Sequence, residues 1–187
     1  VRAPTPLSDQ LWTVSLKGGT PTQFAVPRAV DGKFSPDNKR FVFEEISVWE
    51  DEFRNYRGGQ NSPLRIIDLQ TFAVEKMPWE NSRDMNPVWF ENQIYFLSDR
   101  DFGMNIWVYD TPTKQVKQVT FFKDFDCKSL EGNNGLLIFE NGGYLYKLKV
   151  GSDKPEKLSI TVNGEFPWTR PHWTKVDKNI DAISLSP

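Results

Sequence analysis

Short apolar runs closed by turn residues recur along this chain, and the clearest set lies between Asn86 and Phe122. Four runs fall there: Pro87 to Phe90, Gln93 to Ser98, Asn105 to Asp110 and Gln115 to Phe121. Ile94-Tyr95-Phe96-Leu97 is continuously apolar, the pattern of a short strand covered on both faces. Ile106-Trp107-Val108-Tyr109 combines β-branched and aromatic residues, which suit a pleated sheet surface. Asp101-Phe102-Gly103 and Thr111-Pro112-Thr113-Lys114 punctuate the runs as hairpin turns, with Gly103 expected to accept positive φ and Pro112 to preset a turn φ. The segment reads as a four-stranded antiparallel meander of about forty residues, the size of one propeller blade.

The pattern repeats. Phe41-Val42-Phe43-Glu44, Ile94-Tyr95-Phe96-Leu97 and Leu137-Ile138-Phe139-Glu140 are versions of one second strand. The third strand recurs as LWTVSL at Leu11, PLRIIDL at Pro63, NIWVYD at Asn105 and YLYKLK at Tyr144. Second strands lie farther apart in the first interval than in the next, which places an insertion at Ile46 to Ser62. A period near forty with no 3.6-residue helical pattern predicts an all-β propeller of four-stranded antiparallel blades, not a helical solenoid. An ordinary β-sandwich leaves the repetition without a reason.

The repeats divide the chain. Residues 1–28 read as the outer strands of a partial blade, and 29–82 as a blade carrying the insertion 46–62. Residues 83–124 and 125–165 are two further blades, and 166–187 an exit linker with the start of another. Three complete blades are fewer than the roughly four to eight that close a ring, so the expectation is an incomplete propeller cut from a longer chain.

Composition narrows the function. The net charge is −2 with a pI near 5.5, which supplies no basic footprint for nucleic acid. No run of about eighteen apolar residues is present to form a membrane-spanning helix. Aromatic residues make up 14 % of the chain and include seven tryptophans, expected to fill the gaps between wedge-shaped blades. Cys127 is the single cysteine, which excludes an intrachain disulfide and suits a small buried residue in a first strand. Val1-Arg2-Ala3-Pro4 is no signal peptide, and the compartment stays open between cytoplasm and periplasm.

Catalytic chemistry is hard to place. A serine hydrolase needs a serine, a base and an orienting carboxylate, yet His172 is the sole histidine and no G-x-S-x-G elbow occurs. One His and one Cys do not build a nitrogen and sulfur metal site. Asp99, Asp101 and Asp110 offer the oxygens calcium prefers, but capping and pairing across a hairpin by Ser98, Asp99 and Arg100 is the stronger reading. No catalytic residue and no cofactor is expected. The insertion is the segment that blade-building leaves over. Its Trp49, Arg54, Tyr56 and Arg57 are candidate contacts for a peptide or another domain, because a guanidinium fork matches a carboxylate. A solvated hairpin whose aromatics pack locally is the alternative.

Taken together, WEDEFRNYRGGQNSPLRIIDL, MNPVWFENQIYFLSDRDFGMNIWVYDTPTKQVKQVT, LIFENGGYLYKL and ITVNGEFPWTRPHW resemble the first propeller of tricorn-type proteases, over residues 11–187. The resemblance implies a six-bladed propeller of which this chain is the back half. It also implies a parent protein with a seven-bladed propeller, a PDZ domain and a region holding a Ser nucleophile and a His base. The implied role is non-catalytic: guiding or sieving peptides to or from a proteolytic chamber. Implied partners are peptides and the other domains, with self-association through open blade faces as a further expectation. The SDRD turn at Ser98 is shared with TolB-like propellers, so a TolB-like module that docks a protein partner is the alternative.

Overall fold

A computed structural model describes residues 10–26, 28–46, 55–59, 61–176, 182 and 184. The described chain is all-β apart from a 3-10 turn at Pro167–Thr169. A two-stranded ribbon, β1 (Trp12–Thr13) and β2 (Thr22–Gln23), precedes three four-stranded antiparallel sheets. The first sheet holds β3 (Asp31–Phe34), β4 (Arg40–Glu44), β5 (Arg65–Asp68) and β6 (Val74–Lys76). The second holds β7 (Asp84–Phe90), β8 (Gln93–Asp101), β9 (Gly103–Asp110) and β10 (Gln115–Gln118). The third holds β11 (Cys127–Asn133), β12 (Leu136–Asn141), β13 (Tyr144–Lys149) and β14 (Glu156–Lys157). Within each sheet, consecutive strands pair, so each is one meander and one blade of an open, incomplete propeller.

The blades stack through a two-residue alternation. In β8, Ile94 and Phe96 face the first sheet and join Val42, Leu64, Ile66 and Met77 in one core cluster. Their neighbours Tyr95 and Leu97 face the other way, against Leu130, Leu137, Phe139 and Leu148 of the third sheet. In the same manner β4 sends Val42 toward the second sheet, and Phe41 and Phe43 toward Val26, Phe24 and Leu11 around the ribbon. Successive strand residues point to opposite faces, so a central blade strand must be apolar throughout. The first strands line a common interior. Lys33 of β3 reaches Glu131 of β11 at 3.0 Å, passing beside the intervening blade.

Several local expectations are corrected. The second sheet begins at Asp84, three residues before Pro87, because Asp84 and Met85 pair with Ser98 and Leu97 beyond a bulge. Asn86 sits in that bulge at φ 49°, and β11 repeats the device with Ser129 at φ 53°. The fourth strand of this sheet stops at Gln118, short of Phe121. The Thr120 hydroxyl there takes the Ile106 amide at 2.9 Å, replacing the ladder contact. At the β8–β9 hairpin, Phe102 and not Gly103 holds the positive φ, at 60°. Gly103 is not held there by space, since a Cβ would meet the Asn105 amide nitrogen at 3.4 Å and the Phe122 carbonyl oxygen at 3.5 Å, ordinary contact distances.

Tryptophan does only part of the blade packing. Among the described residues only Trp89 is buried, while Trp168 and Trp173 are largely exposed. Arg40 lies over Trp89 at 5.0 Å, Lys76 over Trp79 at 4.9 Å and Arg100 over Trp107 at 5.3 Å. Trp89 belongs to the core cluster between the first two sheets and Trp107 packs against it, so these indoles join Phe, Tyr, Ile and Leu in the wedge while also carrying cations. Cys127 is buried at the start of β11, as its single occurrence suggested. Desolvation pushes its thiol up to about 12.

Candidate functional site

The insertion of the first blade folds back over the second. Of its four candidate contact residues, Trp49 and Arg54 lie outside the described residues, while Tyr56 and Arg57 are placed. Asn61, which is buried, donates its side-chain amide to the carbonyls of Tyr56 and Asn81, the latter at 3.0 Å, and so pins the loop's return. Arg57 then reaches Asp99 at the end of β8. Its Nη1 donates to the carboxylate at 2.9 Å and its Nη2 to the main-chain carbonyl at 2.8 Å. The same guanidinium lies over the Phe102 ring at 5.9 Å. Asp99 also accepts the Arg83 amide at 2.8 Å, which ties the hairpin to the chain entering β7.

Beneath this loop a cleft of about 290 Å³ opens between the starts of β7 and β11, the Phe102 hairpin tip and Asn55 of the insertion. Met85, Leu97, Met104 and Cys127 give it apolar walls. Asn86 and Ser129, the two positive-φ bulge residues, face it from neighbouring blades. Asp126 holds the β11 side in place by accepting the Met104 amide at 3.0 Å. The cleft thus sits where two inner strands diverge, at the end of the blades from which the hairpin tips project.

Two buried carboxylates support the surroundings. Asp84 accepts from the Ser98 hydroxyl at 2.6 Å, the Ser82 hydroxyl at 2.8 Å and Arg100 Nη2 at 2.7 Å. Burial raises its pKa, and the Arg100 charge opposes that rise. Glu44, at the end of β4, accepts the Asn86 amide at 2.6 Å across the blade boundary. Desolvation is the main cause that moves its pKa up to about 7. The Asn86 amide pulls the other way, Asp31 adds to the rise and Arg83 opposes it.

Sequence reasoning singled out Arg57 and the Ser98-Asp99-Arg100 turn but treated them as separate features. The fold joins Arg57 to Asp99 and directs Arg100 to Asp84. Asp110, considered as a calcium ligand, is engaged with the Thr113 amide at 2.9 Å and the Thr113 hydroxyl at 2.6 Å. Among the described residues, no group of three or more metal-binding side chains gathers. Glu44, Asn86 and Lys128 were not identified. The one available signal was that Asn86 and Ser129 stand at the blade period, in equivalent positions of their first strands.

Repeated four-stranded meanders packed face to face define a β-propeller module. The model of the tricorn protease N-terminal beta propeller domain matches residues 2–154, and the chain belongs to that family. The tricorn protease homolog of Saccharolobus solfataricus is 23 % identical over 134 residues, 72 % of this chain and 12 % of the relative. The tricorn protease of Thermoplasma acidophilum is 27 % identical over 116 residues, 62 % of this chain and 10 % of the relative. The chain therefore spans about a tenth of these relatives. Among solved structures, the tricorn protease crystal structure superposes with a TM-score of 0.72 at 23 % identity, covering 84 % of this chain and 15 % of that one. A TolB from Agrobacterium tumefaciens superposes with a TM-score of 0.62 at 15 % identity, covering 80 % of this chain and 56 % of that one.

Proposed function

We propose that this chain is a non-catalytic propeller module of a tricorn-type serine protease and that it guides or sieves peptides moving to or from the proteolytic chamber. Peptides and the other domains of the parent protein are its partners in this reading. The observation that carries it is the charged insertion held by Arg57 over a cleft at the inner-strand end of the blades. A rigid sheet stack presents such a loop at fixed height, which is what a gate or a sieve requires. Leu136, Tyr144 and Leu145 on the last sheet are exposed and suit contact with a further blade or with a second copy. The test is turnover by the full-length protein carrying Arg57→Ala. Long peptides should be processed at an altered rate while a minimal ester substrate is unaffected. Equal rates for both substrates would remove the guiding role.

A further inference from the structure

Asparagine precedes glycine three times in the chain, at Asn134-Gly135, Asn141-Gly142 and Asn163-Gly164. The intrinsic chemistry is shared, because glycine has no Cβ to shield its amide nitrogen from the asparagine side chain. The fold gives the three pairs different surroundings. Asn134 and Gly135 are the central residues of the β11–β12 hairpin, at φ 50° and 73°, closed by the pairing of Asn133 with Leu136. The Gly135 carbonyl also accepts the Val150 amide at 2.9 Å. Asn141 is buried, its Nδ2 donates to the Phe125 carbonyl at 2.7 Å, and Gly142 stands at φ 58° against the Phe125 ring. Asn163 and Gly164 lie beyond β14 in the exposed stretch 159–166, and neither makes a hydrogen bond among the described residues.

We propose that Asn163 is a self-modification site, converted without an enzyme to aspartate and isoaspartate, while the blade protects Asn134 and Asn141. The Gly164 amide nitrogen gives its proton to solvent base and attacks Cγ of Asn163. The N–Cγ bond forms, the Cγ–Nδ2 bond breaks, and ammonia leaves with a proton taken from water, closing a succinimide ring. Water then opens the ring. Addition at Cγ yields aspartate; addition at the main-chain carbonyl carbon yields isoaspartate, in which the chain runs through the former side chain. The balance is amide plus water giving carboxylate plus ammonium, with no oxidant or reductant. Ring closure needs an asparagine ψ far from the left-handed value that the Asn134 turn imposes. At Asn141 it must also withdraw Nδ2 from the Phe125 carbonyl, so both hairpins have to open first. At Asn163 nothing has to open.

The product changes the segment and spares the sheets. A carboxylate appears two residues before Glu165, and isoaspartate lengthens the main chain by a methylene between the third sheet and the 3-10 turn at Pro167–Thr169. No residue of 159–166 belongs to a core cluster, so the blades keep their packing. The result is a slow, irreversible change of charge and length in the segment leading out of the last sheet, and it holds whether or not the propeller guides peptides.

The test incubates the native protein at neutral to mildly alkaline pH and follows the three asparagines by peptide mass spectrometry, with isoaspartate resolved from aspartate by chromatography. Asn163 should convert at least about tenfold faster than Asn134 or Asn141, the factor that breaking one net hydrogen bond confers on a rate. In denaturant the three rates should converge, since only the shared dipeptide chemistry then remains. Gly164→Ala should slow conversion by crowding the attacking nitrogen. The modified protein should keep the unfolding midpoint of the unmodified one. Equal native rates at the three sites, an unconverted Asn163 or a lowered midpoint would each overturn the proposal.

Discussion

Arg57 and Asp99 join two blades through both ends of one guanidinium, with a side-chain contact at 2.9 Å and a main-chain contact at 2.8 Å. They stand 42 residues apart, close to one blade period, so the pair links the edge of one repeat to the same edge of the next. Asp99 is nearly inaccessible, with 4 % of its side chain exposed, while Arg57 keeps 29 %.

Arg57→Ala should therefore cost more than an ordinary surface change. A loop arginine read from sequence alone suggests an effect within about 1 kcal/mol. Leaving the buried Asp99 with fewer donors raises the expectation to about 2 kcal/mol, discounted from a fully buried pair because Arg57 is partly solvated. Arg57→Lys should lose about half as much, retaining charge but not the two-pronged geometry. Urea denaturation reads this as a lowered midpoint at constant slope; an unchanged midpoint would show that the pair contributes nothing.

Glu44 sets a pH dependence with a definite sign. Its pKa is raised from 4.5 to about 7 in the folded protein, so the folded state holds the proton more tightly. Its contribution is fully present below about pH 4.5 and is lost as pH rises through about 7. At about 1.4 kcal/mol per unit, the change across that window is about 3 kcal/mol. Glu44→Gln keeps an acceptor for the Asn86 amide and cannot ionise. The stability difference between the variant and the parent should grow from pH 4.5 to 7 in favour of the variant. A pH-independent difference would place Glu44 in a more solvated site.

Arg100 and Asp84 form a buried pair, with 4 % and 0 % of their side chains exposed. Arg100→Ala leaves the carboxylate with two serine hydroxyls and removes a cation from between Phe96 and Trp107. Destabilisation of about 3–5 kcal/mol is expected from thermal or chemical unfolding. Replacing both partners with apolar residues of similar volume should restore much of that loss. A double variant as unstable as the single one would assign the cost to the lost stacking.

Cys127 should be inert in the folded protein. Its thiol is buried, and its pKa is pushed up to about 12 by desolvation, so thiolate is scarce at pH 8. A disulfide reagent should modify no thiol in native protein and one in denaturant. Rapid native modification would show that the cleft side of β11 opens readily.

The blade repeat was legible because packing on both faces imposes itself on every central strand. Ile94 to Leu97 had to be continuously apolar, and so did Phe41 to Phe43 and Leu137 to Phe139. Turn chemistry was legible in part. Asp68 and Asp110 each cap a turn through a threonine three residues on, a local interaction that the sequence reading did not name. The positive φ at Phe102 was missed because glycine is the usual occupant of such a position and stands at the next residue.

What the amino-acid sequence determined by itself was the all-β class, the four-strand repeat, the family and the position of the insertion. These follow from period, side-chain size and turn residues, all properties of neighbours along the chain. Only the tertiary structure decided that Arg57 answers Asp99, that Glu44 is buried beneath Asn86 and that Lys128 stands beside an apolar cleft. Each of those relationships joins different blades. Where one blade meets the next depends on the pitch and twist of whole sheets, and nearest-neighbour pattern carries no record of which side chains that packing brings within hydrogen-bond reach.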